Sequence, residues 1–289
     1  QRRIFKHYRK GDQRIMRAIL AILNRNLLKL VRDRMRLFMN LFMSVIMLFV
    51  FSFVMKSTAT GITNPMNYLI AGIIIMTVFQ IALNNSMNIL DDISSGFMKE
   101  ILVAPISRWQ IAIGHMLSST FISVIQGLVI VIVGLFMGLD LDAVHGLDMV
   151  LIMILAGLTF SSLGLYLATI TRESSNFQLL VTLISFPLTF LSGAYIPTFA
   201  LPKFMLPIVL LNPLTYTTAL FREVTLKMDH LSVAEMIKNG IAFKVGSFTI
   251  MPWMSFVIIM IICLIFLMLS VKQFSKADFS RIKIFKHGH

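Results

Sequence analysis

The chain has 289 residues, 57% of them hydrophobic and only 13% charged, with a mean hydropathy of +0.84. Soluble domains carry about 25% charged residues, so this composition excludes an ordinary soluble fold and leaves no room for a large soluble domain beside membrane spans. The net charge of +13 raises nucleic acid as a partner, while the single cysteine, Cys263, excludes both a disulfide framework and a thiolate metal site.

The first segment, residues 1–36, holds 12 Lys/Arg. From Met16 the apolar residues Leu20, Leu23, Leu27 and Leu30/Val31 recur at helical spacing, with Arg17, Arg25, Lys29 and Arg32 elsewhere around the wheel. This pattern predicts a basic amphipathic helix lying on a membrane surface. It does not read as a secretory signal, because about 36 residues precede the first long apolar run. Leu37–Met55, 19 uncharged residues, predicts the first span, and Lys56 closes it. Thr58, Gly61, Thr63 and Asn64-Pro65 then read as a turn, so the second span is predicted over Met66–Leu90. That span ends in Asn84-Asn85-Ser86-Met87-Asn88, which is polar for lipid. Asn84, Asn85 and Asn88 need protein or water as partners; they fit a substrate path and equally the polar end of the helix.

Residues 91–108 form the one long polar break well inside the chain. Ser94 or Ser95 is expected to cap a short helix running through Gly96 to Ala104, with Lys99 and Glu100 on it. Pro105 forbids its continuation, and Ser107 with Gln110 predicts a capping box opening the next helix, with Arg108 and Trp109 in its first turn. A short helix, a corner and a new span make a shape that can be pushed as a rigid lever.

Ile111–Leu139 is the predicted third span and Met149–Thr171 the fourth, separated by Asp140, Asp142 and Asp148. Gly157, Ser161, Ser162 and Gly164 offer small surfaces for close helix packing on the fourth. A tight turn at Arg172-Glu173 leads to a fifth span, Phe177–Tyr195. Phe204–Phe221 is free of charge but interrupted by Pro207 and Asn212-Pro213, which predicts two short re-entrant helices rather than a seventh span. Arg222, Glu223, Lys227 and Asp229 are expected at the outer surface, and Ser232 with Glu235 predicts a capping box for a short external helix. Val245–Val271 is the predicted last span, with Trp253 near its outer end, followed by a basic tail over 272–289.

Charge checks this count. The first segment, the 91–108 break, the Arg172 turn and the tail carry 20 Lys/Arg against 7 Asp/Glu, while the remaining segments carry 6 of each. The whole excess falls on one side, as the positive-inside rule requires of six spans with both termini cytoplasmic. The same asymmetry accounts for the basic charge without nucleic acid.

Gly96, Lys99, Glu100, Leu102, Pro105, Ser107, Arg108 and Gly114, together with Leu191–Pro197, Asn212-Pro213-Leu214-Thr215-Tyr216 and Arg222, resemble the ordered motifs of ABC exporter permeases of the type-2 class. In detail they look closest to the drug-resistance, daunorubicin-type branch. The resemblance runs from the amphipathic helix to the last span. It implies an all-α polytopic membrane protein with an interfacial N-terminal helix, six spans over about 37–271, a cytoplasmic coupling helix at about 91–108 and an external re-entrant pair at about 196–225. It further implies a bacterial inner-membrane exporter of hydrophobic or amphipathic substrates. Such an exporter works as a dimer, homodimeric or heterodimeric, with two copies of a cytoplasmic ATPase that binds ATP and Mg. Gly96, Lys99, Glu100, Pro105, Ser107 and Arg108 would couple the two, and Asn212, Pro213, Tyr216 and Arg222 would belong to the re-entrant motif.

No Gly-x-x-x-x-Gly-Lys-Ser/Thr phosphate loop occurs in the sequence, so ATP is expected on a separate chain. The six histidines are scattered without zinc spacing, no metal is expected, and His115 reads as a hydrogen-bonded residue near the membrane boundary. The predicted spans hold no Asp, Glu, Lys or Arg at mid-depth, which argues against ion-coupled antiport and intramembrane catalysis. Within the same class the competing reading is export of a lipid-linked glycan of teichoic-acid or O-antigen type. From other classes, an ion-coupled carrier would need a gradient without ATP, and a scaffold would transport nothing.

Overall fold

The computed structural model describes residues 2–58, 65–103, 106–139, 142–171, 173–195, 198, 201–227, 232–246 and 248–277. Twelve α-helices and one β-hairpin occur among them: α1 (Arg2–Arg32), α2 (Arg34–Thr58), α3 (Pro65–Asn84), α4 (Met87–Ser94), α5 (Phe97–Val103), α6 (Arg108–Phe136), α7 (Ala143–Thr171), α8 (Ser174–Leu191), α9 (Leu206–Leu211), α10 (Pro213–Thr225), α11 (Val233–Lys238) and α12 (Pro252–Lys276), with β1 (Phe243–Val245) and β2 (Phe248–Ile250) before the last helix. Six helical segments are long and apolar enough to cross a membrane: α2, α3 with α4, α6, α7, α8 and α12. The chain is a multi-pass, all-α membrane protein, in agreement with the sequence.

The bundle is built around α3. Its residues are apolar on every face, and it packs against α2, α6, α7 and α10, so it has no lipid-facing stripe. At 1.5 Å per residue, its 20 residues span about 30 Å, the thickness of the hydrocarbon core. The chain turns at Asn85-Ser86, and α4 carries the same apolar segment on to Ser94, past Leu90.

Small residues set the helix spacing, as expected for association in lipid. A Cβ on Gly157 of α7 would lie 2.8 Å from Thr120 Cγ2 of α6, and one on Gly164 would lie 2.6 Å from the Leu83 carbonyl oxygen of α3. Ser161 and Ser162 sit on the same surface, where Ser161 Oγ and Thr120 Oγ1 are 3.2 Å apart. The packing surface read at positions 157–164 is thus the surface on which α7 meets α3 and α6.

Three local expectations are corrected. The helix expected to start at Ser94 or Ser95 and run through Gly96 begins only at Phe97, as α5, and Ser95 caps the end of the preceding α4 instead. Gly96 adopts φ +81°, a left-handed conformation that glycine alone takes without a Cβ penalty, and it separates α4 from α5. The last span does not begin at Val245. Phe243 pairs with Ile250 and Val245 with Phe248 across a turn at Gly246 (φ +62°), and Pro252 then opens α12 at its first position. The α1 helix does not simply lie on the leaflet. Its buried stripe is Ile22, Asn26 and Leu30, which meets Gly114, Ser118 and Ile122 of α6 in matching four-residue steps, while Leu20 and Val31 are exposed. The Ser232–Glu235 box does open α11, and its hydrogen bonds from Ser232 hold the Glu235 carboxyl below the usual range. Pro105, Asp140, Arg172, Asp229, Ile196-Pro197 and the tail beyond Ala277 lie outside the described residues.

Because Gly157 lies directly against Thr120 and Ser123 of α6, Gly157→Leu should force α6 and α7 apart and cost about 1–3 kcal/mol. A thermal-denaturation midpoint in detergent equal to that of the unchanged chain would contradict this packing.

Candidate functional site

The functional candidates gather at the two ends of the bundle and in a groove between them. At one end, α5 carries Lys99 and Glu100 on an exposed face, while Met98 is buried against the core at 1% exposure. Phe97 at its start lies under the Arg25 guanidinium of α1, 4.6 Å from ring centre to charge. Ser107 then opens α6, its N–H donating to Gln110 Oε1 at 2.9 Å, as the capping box required. Arg108 donates from Nη1 to the carbonyl oxygens of Ala277 (2.6 Å) and Ser275 (3.1 Å). Those are carbonyls at the C-terminal end of α12, where a cation is favoured. Arg108 therefore fastens the start of α6 to the end of α12.

Beside α5 lies a cluster that the sequence reading did not single out. Asp92 of α4 is 1% exposed and accepts from Arg25 and from Lys29 Nζ (2.7 Å), both on α1, with His115 Nε2 of α6 3.8 Å away. A buried carboxylate is tolerated only when paired, and here one anion meets two cations. His115 is buried, and its Nε2 makes no hydrogen bond among the described residues. The available signal was the i,i+4 basic pair Arg25/Lys29 on an amphipathic helix, which can address a single acid. Nothing local distinguished Asp92 from its exposed neighbour Asp91.

At the other end, the break at Asn212-Pro213 does what its residues suit. Asn212 Oδ1 accepts from the Leu214 N–H (2.9 Å), and its Nδ2 donates to the Leu188 carbonyl of α8 (2.8 Å). Tyr216 Oη donates back to the Leu210 carbonyl (2.6 Å), folding α9 against α10. Arg222 is not at the surface as expected: it is 1% exposed. Its Nη2 donates to the carbonyls of Gly193 (2.6 Å) and Ala194 (3.1 Å), and its guanidinium lies 3.4 Å from the Tyr68 ring centre. Tyr68 Oη donates to the same Gly193 oxygen at 3.0 Å. Two carbonyls left beyond the end of α8 and one aromatic face make a cation tolerable here.

Between the ends, a cavity of about 580 Å³ lies among α2, α3 and α8, lined in part by Met39, Met43, Met47, Met76, Gln80 and Asn84. A second, of about 560 Å³, lies at the boundary among α1, α2 and α4, lined in part by Lys29, Arg32, Asp33, Asn88 and Asp91. Arg36 and Asn85 line both. Asn84 and Asn85 line the first cavity, and Asn85 and Asn88 the second.

A family model for ABC-2 type transporters matches residues 17–226, the region holding α5, both cavities and the Asn212 elbow. The chain belongs to the ABC-2 type transporter family. Among curated relatives of this ABC-2 chain, a putative transport permease, ycf38, of Porphyra purpurea is 32% identical over 178 residues, 61% of each chain. The inner membrane transport permease YadH of Escherichia coli is 25% identical over 193 residues, 64% of this chain and 72% of that one. The probable multidrug ABC transporter permease YbhR of the same organism is 20% identical over 162 residues, 56% and 44% respectively. The match spans 52–61% of the length of the ycf38 relatives.

Two substitutions test these ties. Asp92→Ala leaves Arg25 and Lys29 without their anion and should loosen α1, costing about 3–5 kcal/mol. Limited proteolysis within 17–33 should accelerate, and an unchanged cleavage pattern would refute the tie. Arg222→Met keeps volume but strands the Ala194 carbonyl, leaves the Gly193 carbonyl with Tyr68 alone and removes the cation from the Tyr68 ring, and should cost about 2–4 kcal/mol in a melting experiment. Arg222→Lys should not restore the loss, since an ammonium lacks the planar fork that reaches both oxygens and stacks on Tyr68.

Proposed function

We propose that this chain is the membrane subunit of an ATP-driven exporter that moves a hydrophobic or amphipathic substrate (a drug, an antimicrobial or a lipid-like molecule) out of the cytoplasm or the inner leaflet. The observation that carries the reading is α5 and its attachments. The helix is short, hinged at Gly96, exposed at Lys99 and Glu100, and followed after four residues by an α6 whose first residue grips α12. A force applied to α5 from outside the bundle is thereby delivered to two spans at once.

The force would come from a separate ATPase, which carries ATP and Mg, in two copies beneath two permease chains. The family membership and the absence of a phosphate loop from the sequence both support this division. The second permease copy, the same chain or a related one, has a natural seat. The α8 stripe of Leu179, Leu183 and Phe186 is exposed, and so is most of α2. The arm and the tail carry the excess of Lys/Arg, which supports a cytoplasmic location for both termini in a bacterial inner membrane. The name of the similar YbhR, a probable multidrug permease, agrees with hydrophobic cargo. The cavity is lined by methionines with one aromatic, Tyr195, which favours an adaptable apolar guest over a long glycan.

Co-purification of the chain in mild detergent, followed by ATP hydrolysis assays with candidate hydrophobic compounds, tests the reading. A bound ATPase whose turnover responds to a compound is expected. Coupling free energies run to about 1–3 kcal/mol, so replacing Lys99 and Glu100 together by Ala should lower that response about fivefold or more while the complex still assembles. An undiminished response would remove α5 from the coupling path, and a chain that brings down no ATPase would leave the carrier or scaffold readings.

A further inference from the structure

The two cavities differ in chemistry and meet at one pair of residues. The boundary cavity is lined by Lys29, Arg32 and Arg36 against Asp33 and Asp91, an excess of one positive charge. Asp33 is already committed in part, since its Oδ1 accepts the Arg36 backbone N–H at 3.1 Å and so caps α2. The other cavity carries no acid or base except Arg36.

At the junction Arg36 Nη2 donates to Asn85 Oδ1 at 3.2 Å. A guanidinium can only donate, so this bond fixes the Asn85 amide with its oxygen toward Arg36 and its nitrogen away. Asn85 is 3% exposed, and its Nδ2 has no hydrogen-bond partner among the described residues. An orphaned donor in a buried amide is costly and calls for an acceptor. Arg36, a residue with five N–H groups, stands next to it.

Above this pair runs a groove whose length is set by α2. Arg36, Met39, Asn40, Met43, Ser44 and Met47 recur at three- and four-residue steps and all line the same cavity. From Arg36 to Met47 the helix rises about 16 Å. Half of a hydrocarbon core is about 15 Å. The groove is therefore as deep as one leaflet, cationic at its mouth and faced with flexible thioethers along its wall.

We propose that this groove binds an amphiphile bearing a phosphate monoanion: the phosphate oxygens accept from Arg36 and from Asn85 Nδ2, and an acyl chain lies along Met39, Met43 and Met47. This assigns the substrate class for the exporter reading given above and rests on it for its biological sense, but the binding itself needs neither ATP nor a partner. The single excess charge suits a phosphodiester, and the depth suits one leaflet's acyl chain.

The test uses the full chain purified in mild detergent and a fluorescent phosphatidylglycerol as tracer, read by polarisation. Unlabelled dioleoyl phosphatidylglycerol, dioleoylglycerol and inorganic phosphate are the competitors. The phospholipid is expected to compete at a concentration about tenfold lower than the uncharged diglyceride, and inorganic phosphate to compete negligibly. Arg36→Gln should abolish the tenfold preference and leave diglyceride competition unchanged. Met43→Trp, at a half-exposed position where the larger ring is readily accommodated, should weaken both lipids about tenfold by filling the groove. Equal competition by the two lipids, a preference that survives Arg36→Gln, or inorganic phosphate competing as well as phospholipid would each overturn the assignment. Because the assay contains no ATPase, its failure leaves the permease reading to be judged by co-purification, and the failure of co-purification leaves this binding result standing.

Discussion

A buried carboxylate is the constraint on which the α5 end of the molecule depends. Asp92 has almost no contact with solvent, and a lone charge in that position would be prohibitively costly. The cations that relieve it come from α1, a helix that by composition alone has no need to touch the bundle. Once Arg25 and Lys29 are drawn to Asp92, the remaining geometry follows. Ile22, Asn26 and Leu30 fall into register with α6, Asp33 turns the chain, and Arg36 arrives opposite Asn85. The boundary cavity exists because α1 is held there.

Deeper in the bundle no charge does comparable work, and close approach of backbones takes over. The carbonyl of Leu83 lies where a side chain on Gly164 would be, and Ser86 and Ser161 are linked across the same surface at 3.4 Å. In lipid there is no hydrophobic gain from bringing two apolar helices together, so such contacts and the hydrogen bonds beside them hold α3, α6 and α7. The result is a rigid three-helix centre, with α2 and α8 more loosely applied and largely uncovered. A groove between a rigid wall and two lightly held helices can change width at modest cost.

Much of this was legible in the amino-acid sequence because it rests on local rules. Charge-free runs of about 20 residues, the Ser107–Gln110 box and the Asn212 cap on Leu214 act through neighbours a few positions away, while the small residues of α7 show as a local pattern whose partners the sequence does not name. What was not legible depends on distant partners. Arg222 looked like a surface cation because nothing near it in sequence offers an acceptor. Its acceptors are carbonyls at 193 and 194, and its aromatic partner is Tyr68. The second half of the β-hairpin was absorbed into the last span because Val245 and Phe248–Ile250 carry no charge to set them apart from the helix they precede. Only the positive φ at Gly246 and the proline at 252 separate them. Asp92 and Asp91 are identical letters in adjacent positions, and helix geometry alone decides which faces inward.

The grip of Arg108 on Ser275 and Ala277 has a practical bearing on how the protein is handled. Four residues separate the end of α5 from Arg108, a reach of at most about 18 Å over five steps, so the end of α12 that Arg108 holds lies within about that distance of α5. A bulky fusion placed directly after residue 277 would crowd the exposed face of α5. Reporter proteins and affinity handles attached at that point would screen Lys99 and Glu100 from solvent, whereas a long flexible spacer would carry them clear.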